Sequence, residues 1–343
     1  MSARASIIPV FVPHLGCPHQ CVFCDQRSIS GQKNKVSAHM VRQQIHQAAA
    51  LPQTGAERQL AFYGGSFTAV EPCLQEELLA AAKEALDQGE IDSIRLSTRP
   101  DAIDGETLAR LRRFGVRTVE LGAQSMDEEV LRLSERGHSA RDVRRAAEMI
   151  KASGFELVLQ MMTGLPGDSE EKSVATAKAL IALRPDGVRI YPTVIVKGTR
   201  LQEMWLRGEY REHRVAEAVE WCAKILPLFR EAGIPVIRLG LNPTEELSGG
   251  EAAGGAYHPA LGELVRSRIL LEEARNCLVG IPPDSDATLA IGGRYLSQLI
   301  GQKGKNRGIL KREFSLRSLR ILPLGEDVQT PTLVGGHVQI ERE

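Results

Sequence analysis

Between residues 7 and about 195, short runs rich in β-branched residues alternate with longer helix-patterned stretches, and this alternation restricts the fold more than any other feature of the chain. The strand candidates are IIPVFV (7–12), QLAFYG (59–64), SIRLST (93–98), RTVELG (117–122), FELVLQ (155–160) and GVRIYP (187–192). The intervening helices have readable ends. Ser139 with Asp142 three residues on forms a capping-box pattern, and Gly89, Gly115, Gly137 and Gly154 fall where helices terminate. A repeating βα unit implies a parallel sheet. Six units are too few for an eight-fold barrel, which leaves an open doubly wound sheet or a partial barrel.

In either architecture, function concentrates just past the carboxyl ends of the strands. The six loops at that rim are the cysteine-bearing HLGCPHQCVFCDQRSISG (14–31), GGSF (64–67), STRPD (97–101), GAQS (122–125), MMTGLPGD (161–168) and YPT (191–193). Each alone is an ordinary turn. Together they describe one large site. Tyr191 in the last of them reads as a packed core residue, with a wall of the site or a hydrogen-atom relay as the alternative.

Of 343 residues, 43% are apolar and 25% charged, which suits a water-soluble globular protein. No apolar run approaches the ~18 residues of a membrane helix, and ASIIPVFV is too short and wrongly flanked for a secretory signal, so the expectation is a cytoplasmic protein without membrane contact. Three cysteines lie within eight residues, whereas Cys73, Cys222 and Cys277 stand singly in apolar surroundings and read as small buried residues. A disulfide framework is thereby disfavoured.

Cys17, Cys21 and Cys24 have two readings. A zinc site takes four ligands, and His14 or His19 could complete one, although no second C-x-x-C is present. An iron–sulfur cluster usually takes four thiolates, so three would leave one iron of a [4Fe–4S] cube open to an external ligand. S-adenosylmethionine can occupy such a position through its amino and carboxylate groups.

Cys-x3-Cys-x2-Cys, with Phe23 just before the last cysteine and placed after the first strand of a βα repeat, resembles the signature of the radical S-adenosylmethionine superfamily. The resemblance implies a partial parallel (βα)6 barrel of TIM type, a [4Fe–4S] cluster on Cys17, Cys21 and Cys24, and S-adenosylmethionine held across the rim. Gly64, Gly65 and Ser66 match the segment whose backbone carbonyls receive the cofactor's amino group. Ser97 stands where relatives carry a glutamate for the ribose. Gln124 and Arg136, in ELGAQSMDEEVLRLSERGH, match a cofactor-holding glutamine and arginine, the latter suited to the methionyl carboxylate. Gln160 falls where relatives place a polar contact. For Arg136 and Gln160 the alternatives are a surface ion pair and a strand-end polar residue.

Two branches of the superfamily share the GxQS…RGH and GLPG patterns: oxygen-independent coproporphyrinogen III oxidases with related haem chaperones, and the radical half of the Elongator catalytic subunit, which modifies wobble uridines of tRNA. STRPD, QMMTGLPGD with RIYPTVIVKGTRL (189–201), and VIRLGLNPTEEL (236–247) resemble the second. This resemblance spans residues 5–247 and excludes any acetyltransferase domain, so acetyl transfer does not come with it.

Past residue 196 the pattern changes, with helices expected over 212–232 and 259–276. The domain reading is a core over 1–240 and a smaller α/β extension over 241–343. From Arg294 to Arg320 eight basic residues face one acid, a window of +7 in a chain of net charge zero. Within 294–323, the stretch Gly301-Gln302-Lys303-Gly304 with Lys305 and Arg307 reads as a Gly-x-x-Gly loop between two helices. It resembles a KH-type RNA-binding unit, in which the glycines admit the sugar–phosphate backbone. A basic subdomain capping the barrel mouth is the alternative. With only 15 aromatic residues, RNA contact should run mainly through the backbone, with one base entering the barrel.

The combined expectation is reductive cleavage of S-adenosylmethionine to a 5′-deoxyadenosyl radical, used on a tRNA base, with electrons from a reductase such as flavodoxin or ferredoxin. The competing readings are a coproporphyrinogen-oxidase-like or haem-handling protein, and a non-catalytic iron–sulfur or zinc protein that binds RNA.

Overall fold

The computed structural model describes residues 6–12, 17, 21–25, 36–50, 56–241, 250–325 and 328–335. His14 and His19, the two histidines that could complete a zinc site, lie outside them. The chain divides into two compact units, Met1–Pro259 and Ala260–Glu343.

The first unit is built on β1 (Ser6–Phe11), β2 (Arg58–Tyr63), β3 (Ser93–Thr98), β4 (Val116–Gln124), β5 (Glu156–Thr163) and β6 (Gly187–Pro192). Between them lie α1 (Ala38–Ala49), α2 (Pro72–Asp87), α3 (Gly105–Arg113), α4 (Glu128–Leu133), α5 (Ala140–Ala152) and α6 (Glu170–Ala182). All six expected strands are present. After β6 come β7 (Val194–Val196), α7 (Arg200–Leu206), α8 (Val215–Glu231), β8 (Val236–Leu239) and β9 (Ala252–Gly255). The main sheet runs β1-β2-β3-β4-β5-β6-β8 with every pair parallel, while β7 and β9 form a small antiparallel pair.

The strand order decides between the two architectures left open by the sequence. A doubly wound sheet reverses its order at a switch point and places helices on both faces. Here each strand lies beside its predecessor, so right-handed crossovers all fall on one face and the sheet curls into a partial barrel. It has seven strands rather than six, because Val236–Leu239 joins beyond β6.

Alternation along the strands separates two faces. Leu60, Ile94, Leu96, Val119, Leu121, Leu157, Leu159, Val188 and Ile190 are fully buried toward the helices, together with Leu78, Leu79, Leu111, Val143, Ile150 and Leu180 from the helices themselves. Each such side chain contributes about 1.5–3 kcal/mol relative to exposure. The Ser139–Asp142 capping box forms at the start of α5, and Gly89, Gly115, Gly137 and Gly154 all adopt positive φ. Two lone cysteines depart from expectation. Cys73 is exposed on the first turn of α2, whose buried side is carried by Gln75, Leu78 and Leu79, and Cys277 is half-buried with its thiol donating to the Pro331 carbonyl. Cys222 is buried.

The second unit contains α9 (Leu261–Leu278), β10 (Asp286–Gly292), α10 (Leu296–Ile300), α11 (Lys305–Glu313), β11 (Ser318–Leu324) and β12 (Thr332–Gly335). Its sheet runs β11-β10-β12, with β10 parallel to β11 and antiparallel to β12. Leu271, Ala274, Leu278, Leu289, Ile291, Leu299, Leu310 and Leu319 make a core of its own.

Candidate functional site

The cysteine segment is held at the carboxyl rim of the sheet by its backbone. The Val22 N–H donates to the Ser134 carbonyl at 3.2 Å, and the Val22 carbonyl accepts from the Leu201 N–H at 2.7 Å. Val22 is buried among Ile195, Leu201 and Tyr210, with Phe23 packed against them. Between these anchors the Cys24 N–H closes a turn onto the Cys21 carbonyl at 3.0 Å. Phe23 is therefore an apolar anchor for the loop that presents the thiols.

Electrostatics tie the three thiols to the neighbouring loops. Burial raises the Cys17 thiol above its ordinary range, and the Ser66 N–H, Arg136 and Arg99 pull against that rise. Cys24 is pushed up to about 12, by burial first and then by Cys21 and Cys17. Three thiolates this close repel one another and call for a positive group to hold them together. Part of it comes from Arg136, 8% exposed, whose Nη1 lies 3.2 Å from the Cys21 sulfur and whose Nη2 donates to the Gly122 carbonyl at 2.8 Å. Among the described residues no group of His, Cys, Asp or Glu side chains has the spacing of a single-ion site.

The other expected rim residues fall around this centre. Gly64 takes φ +94°, turning the chain sharply after β2. Ser66 is buried, its hydroxyl pairing with the Thr98 hydroxyl at 3.0 Å and accepting from the Arg99 N–H at 3.2 Å. Gln124 ends β4 with φ +64°, a conformation strained for a non-glycine residue and common at ligand sites. Gly122 lies beneath both clamp side chains: a Cβ there would sit 2.7 Å from Arg136 Nη2 and 2.8 Å from Gln124 Nε2. Gln160 is half-buried in register with Gly122 and Arg189, and Ser97, also half-buried, is in register with Glu120.

Two residues at the rim were not singled out from the sequence. Arg99 is buried, pairs with Asp101 at 2.9 Å and donates to the Arg136 carbonyl at 2.6 Å, so it fixes the backbone that aims Arg136. His138 faces the Ala123 carbonyl through Nε2 at 3.3 Å, and burial followed by Arg136 pushes its pKa down to about 3, so the ring is neutral at pH 7. Both stand inside motifs, STRPD and ERGH, whose neighbours drew attention instead.

Among the described residues, four buried atoms at this rim have no hydrogen-bond partner: Gln124 Oε1, Arg136 Nε, Arg99 Nη1 and His138 Nδ1. Such orphans are rare in a folded protein, and a cluster of them beside three thiols has the donor set that an iron–sulfur cluster and a polar cofactor would complete.

The Gly-x-x-Gly segment lies between α10 and α11, as its sequence implied. Gly301 has φ +75° and ψ 162°, Lys303 φ +52° and Gly304 φ +75°. Gln302, Lys303, Lys305 and Arg307 are exposed, and among the described residues none of these three basic side chains forms an ion pair. Asn306 is buried and ties the segment to the unit, donating to the Ser267 carbonyl at 3.1 Å and to the Gln298 carbonyl at 3.3 Å.

Comparison with known proteins follows the same outline. The Radical SAM superfamily matches residues 11–180 and the Radical SAM C-terminal domain residues 185–270. A tRNA uridine(34) acetyltransferase of Methanocaldococcus infernus is 28% identical over 255 residues, covering 63% of this chain and 48% of that protein. Human Elongator complex protein 3 is 36% identical over 138 residues, 39% of this chain and 25% of the human one. The solved structure of the archaeal Methanocaldococcus infernus Elp3 with an N-terminal deletion shares the fold at a TM-score of 0.62 and 24% identity, covering 86% of this chain and 68% of that one. The chain spans about half the length of the uridine(34) acetyltransferases it matches. Cysteine spacing, strand order and the family matches coincide on one conclusion: the chain belongs to the radical S-adenosylmethionine superfamily.

Proposed function

We propose that the protein is an enzyme that uses a [4Fe–4S] cluster to cleave S-adenosylmethionine and directs the resulting radical at a base of tRNA. The observation that carries the first half is the Arg136 guanidinium bridging the Cys21 sulfur and the Gly122 carbonyl, inside a rim of buried polar atoms that have no partner among the described residues. Cys17, Cys21 and Cys24 would hold the cluster, leaving one iron for the cofactor. Bound there, a reduced cluster would supply one electron for cleavage of the sulfonium, with methionine and a 5′-deoxyadenosyl radical as the products.

The remaining work belongs to this chain's own residues. Gly64, Gly65 and Ser66 offer carbonyls to the cofactor's amino group, and Arg136 and Gln124 orient its carboxylate end. Ser97 and Gln160 supply polar contacts from β3 and β5. Arg99 holds Arg136 in place, and neutral His138 offers Nδ1 as an acceptor. The burial of this rim excludes water from a reactive intermediate.

The RNA half is supported by the curated relatives, among them the archaeal tRNA uridine(34) acetyltransferase, and by the segment that buried Gly301 and half-buried Gly304 turn outward, with Gln302, Lys303, Lys305 and Arg307 exposed on it. Lysines beside a glycine-built turn suit a sugar–phosphate chain. Among the described residues no helix is long and apolar enough to cross a membrane, and the reading includes a cytoplasmic setting with an electron donor such as flavodoxin or ferredoxin. The test is nucleoside analysis by mass spectrometry of tRNA from cells with and without the gene. Loss of one modified uridine in the deletion, restored by wild type and not by Cys21→Ala, supports the reading; unchanged tRNA contradicts it.

A further inference from the structure

The concave face of the main sheet carries a charge that the rim does not use. Strand alternation sends Ile94 and Leu96, both fully buried, toward the helices, and Arg95 and Ser97 toward the concave face. Register places Tyr63, Glu120, Gln160, Arg189 and Tyr191 on the same face. Arg189 is charge-paired there, although its Nε makes no hydrogen bond among the described residues. Its Nε lies 3.0 Å from the Glu120 carboxylate, and its two Nη atoms donate to the Tyr63 hydroxyl at 2.9 Å and the Tyr191 hydroxyl at 3.4 Å.

Arg95 has none of this. It is 7% exposed, its Nε is buried without a partner, and among the described residues no hydrogen bond, ion pair or ring contact reaches its guanidinium. Its register neighbours on either side are the small residues Ala61 and Thr118. The carboxylates at the amino-terminal end of the sheet are committed elsewhere. Glu57 accepts from Ser93 and pairs with Arg117 at 3.1 Å, while Glu156 pairs with Arg117 at 2.8 Å and accepts from Thr118. Glu120, the acid on the concave face beside it, is taken by Arg189.

A guanidinium cannot shed its proton to escape burial, so one held among apolar and small residues without an acid beside it destabilises the fold until an anion reaches it. Nothing in holding the cofactor calls for a cation here, because Arg95 lies two residues below Ser97, about 6–7 Å deeper along the strand. We propose that Arg95 is the floor of an anion-binding subsite that receives a carboxylate or phosphate group of the substrate on which the radical acts. The planar fork of an arginine matches either oxyanion with two parallel hydrogen bonds. The depth of the subsite selects a small acidic molecule, or an acidic substituent on a base entering from the rim, over the RNA backbone itself. The proposal rests on the reading of this barrel as the reaction chamber.

The test is thermal denaturation of the full chain, without iron or S-adenosylmethionine, in sodium chloride, sodium acetate and sodium phosphate at equal ionic strength. For a site of ~10 mM affinity at ~100 mM anion, wild type should melt about 2 °C higher in acetate or phosphate than in chloride. Arg95→Met, of similar length and without the charge, should lose that rise and melt above wild type in chloride. Arg95→Lys keeps a charge without the fork and should show a smaller rise. A rise in acetate alone assigns the site to a carboxylate, and in phosphate alone to a phosphate. Equal responses of wild type and Arg95→Met to all three anions would overturn the proposal. Because the readout uses neither cluster nor cofactor, its failure is distinguishable from failure of S-adenosylmethionine cleavage.

Discussion

Gly122→Ala isolates the clamp from the fold. Gly122 is not in the left-handed region, so alanine brings no backbone strain, and the atoms its methyl meets are the far ends of two flexible side chains. At 2.7 Å from Arg136 Nη2 and 2.8 Å from Gln124 Nε2, against an ordinary contact near 3.5 Å, the methyl drives both tips back by roughly 0.7 Å. The Arg136 bond to the Gly122 carbonyl, 2.8 Å long, cannot survive that shift intact. A hydrogen bond from a charged donor is worth about 1.5–3 kcal/mol, which corresponds to S-adenosylmethionine binding about ten- to a hundredfold more weakly. The assay is anaerobic equilibrium dialysis of the labelled cofactor against reconstituted protein, with iron content and melting temperature measured on the same sample. Iron should be retained because all three thiols remain. Affinity within a factor of two of wild type, in a protein of normal iron content, would refute the assignment of Arg136 and Gln124 to the cofactor.

Gly164→Ala should do the opposite and damage the fold. Gly164 has φ +74°, and its methyl would lie 2.1 Å from the root of the His213 ring, so the loss should reach about 3 kcal/mol or more by urea denaturation; an unchanged midpoint would contradict the packing described. Acid should destabilise the protein below neutrality. Burial pushes His138 to about 3 and His213 to about 4, so the unfolded chain takes up two protons near its ordinary histidine pKa while the folded chain takes up neither. Asp168, raised to about 6 by burial, acts oppositely, its stabilising effect being lost as pH rises through that value. Two against one leaves a net loss of roughly 1.4 kcal/mol per pH unit between about 6 and 4.5, and a flat urea midpoint over that range would be the contrary result. In the second unit, Gly304→Asp should weaken tRNA retention on filters several-fold at a small cost in melting temperature, since its Cβ meets nothing nearer than Arg307 at 3.9 Å and aspartate bears positive φ better than most residues. Gly301→Asp, whose Cβ would lie 2.9 Å from Asn306, should also destabilise the unit, so only the Gly304 variant separates binding from folding.

The six strands and the cysteine loop were legible in the sequence because both signals are local: β-branched runs with period-two burial, and three thiols within eight residues. The seventh strand, Val236–Leu239, was not. It is four residues long and partly exposed at the sheet edge, and its pairing to β6 is a long-range event that no local pattern announces. The Ala252–Gly255 strand has no β propensity at all and exists because β7 supplies a partner. At the rim, Gln124 and Arg136 were found through motifs, but the contact of Arg136 with Cys21 spans 115 positions and required the fold. Arg95, Glu120 and Arg189 were not singled out in the sequence, where each is one charge inside a short strand and nothing local tells which face it takes. Strand register in the structure brings them to the concave face, and only there is the Arg189–Glu120 pair distinguished from Arg95, which has no acidic partner among the described residues.

The central claim is that three thiols and their rim activate S-adenosylmethionine for use on RNA. Its most direct test is anaerobic: protein reconstituted with iron and sulfide is reduced, given S-adenosylmethionine with and without bulk tRNA, and assayed for 5′-deoxyadenosine by mass-resolved chromatography. Wild type should form 5′-deoxyadenosine, more of it with tRNA, and Cys17→Ala, Cys21→Ala and Cys24→Ala should form none. A protein carrying an intact cluster that forms no 5′-deoxyadenosine under either condition would contradict the claim.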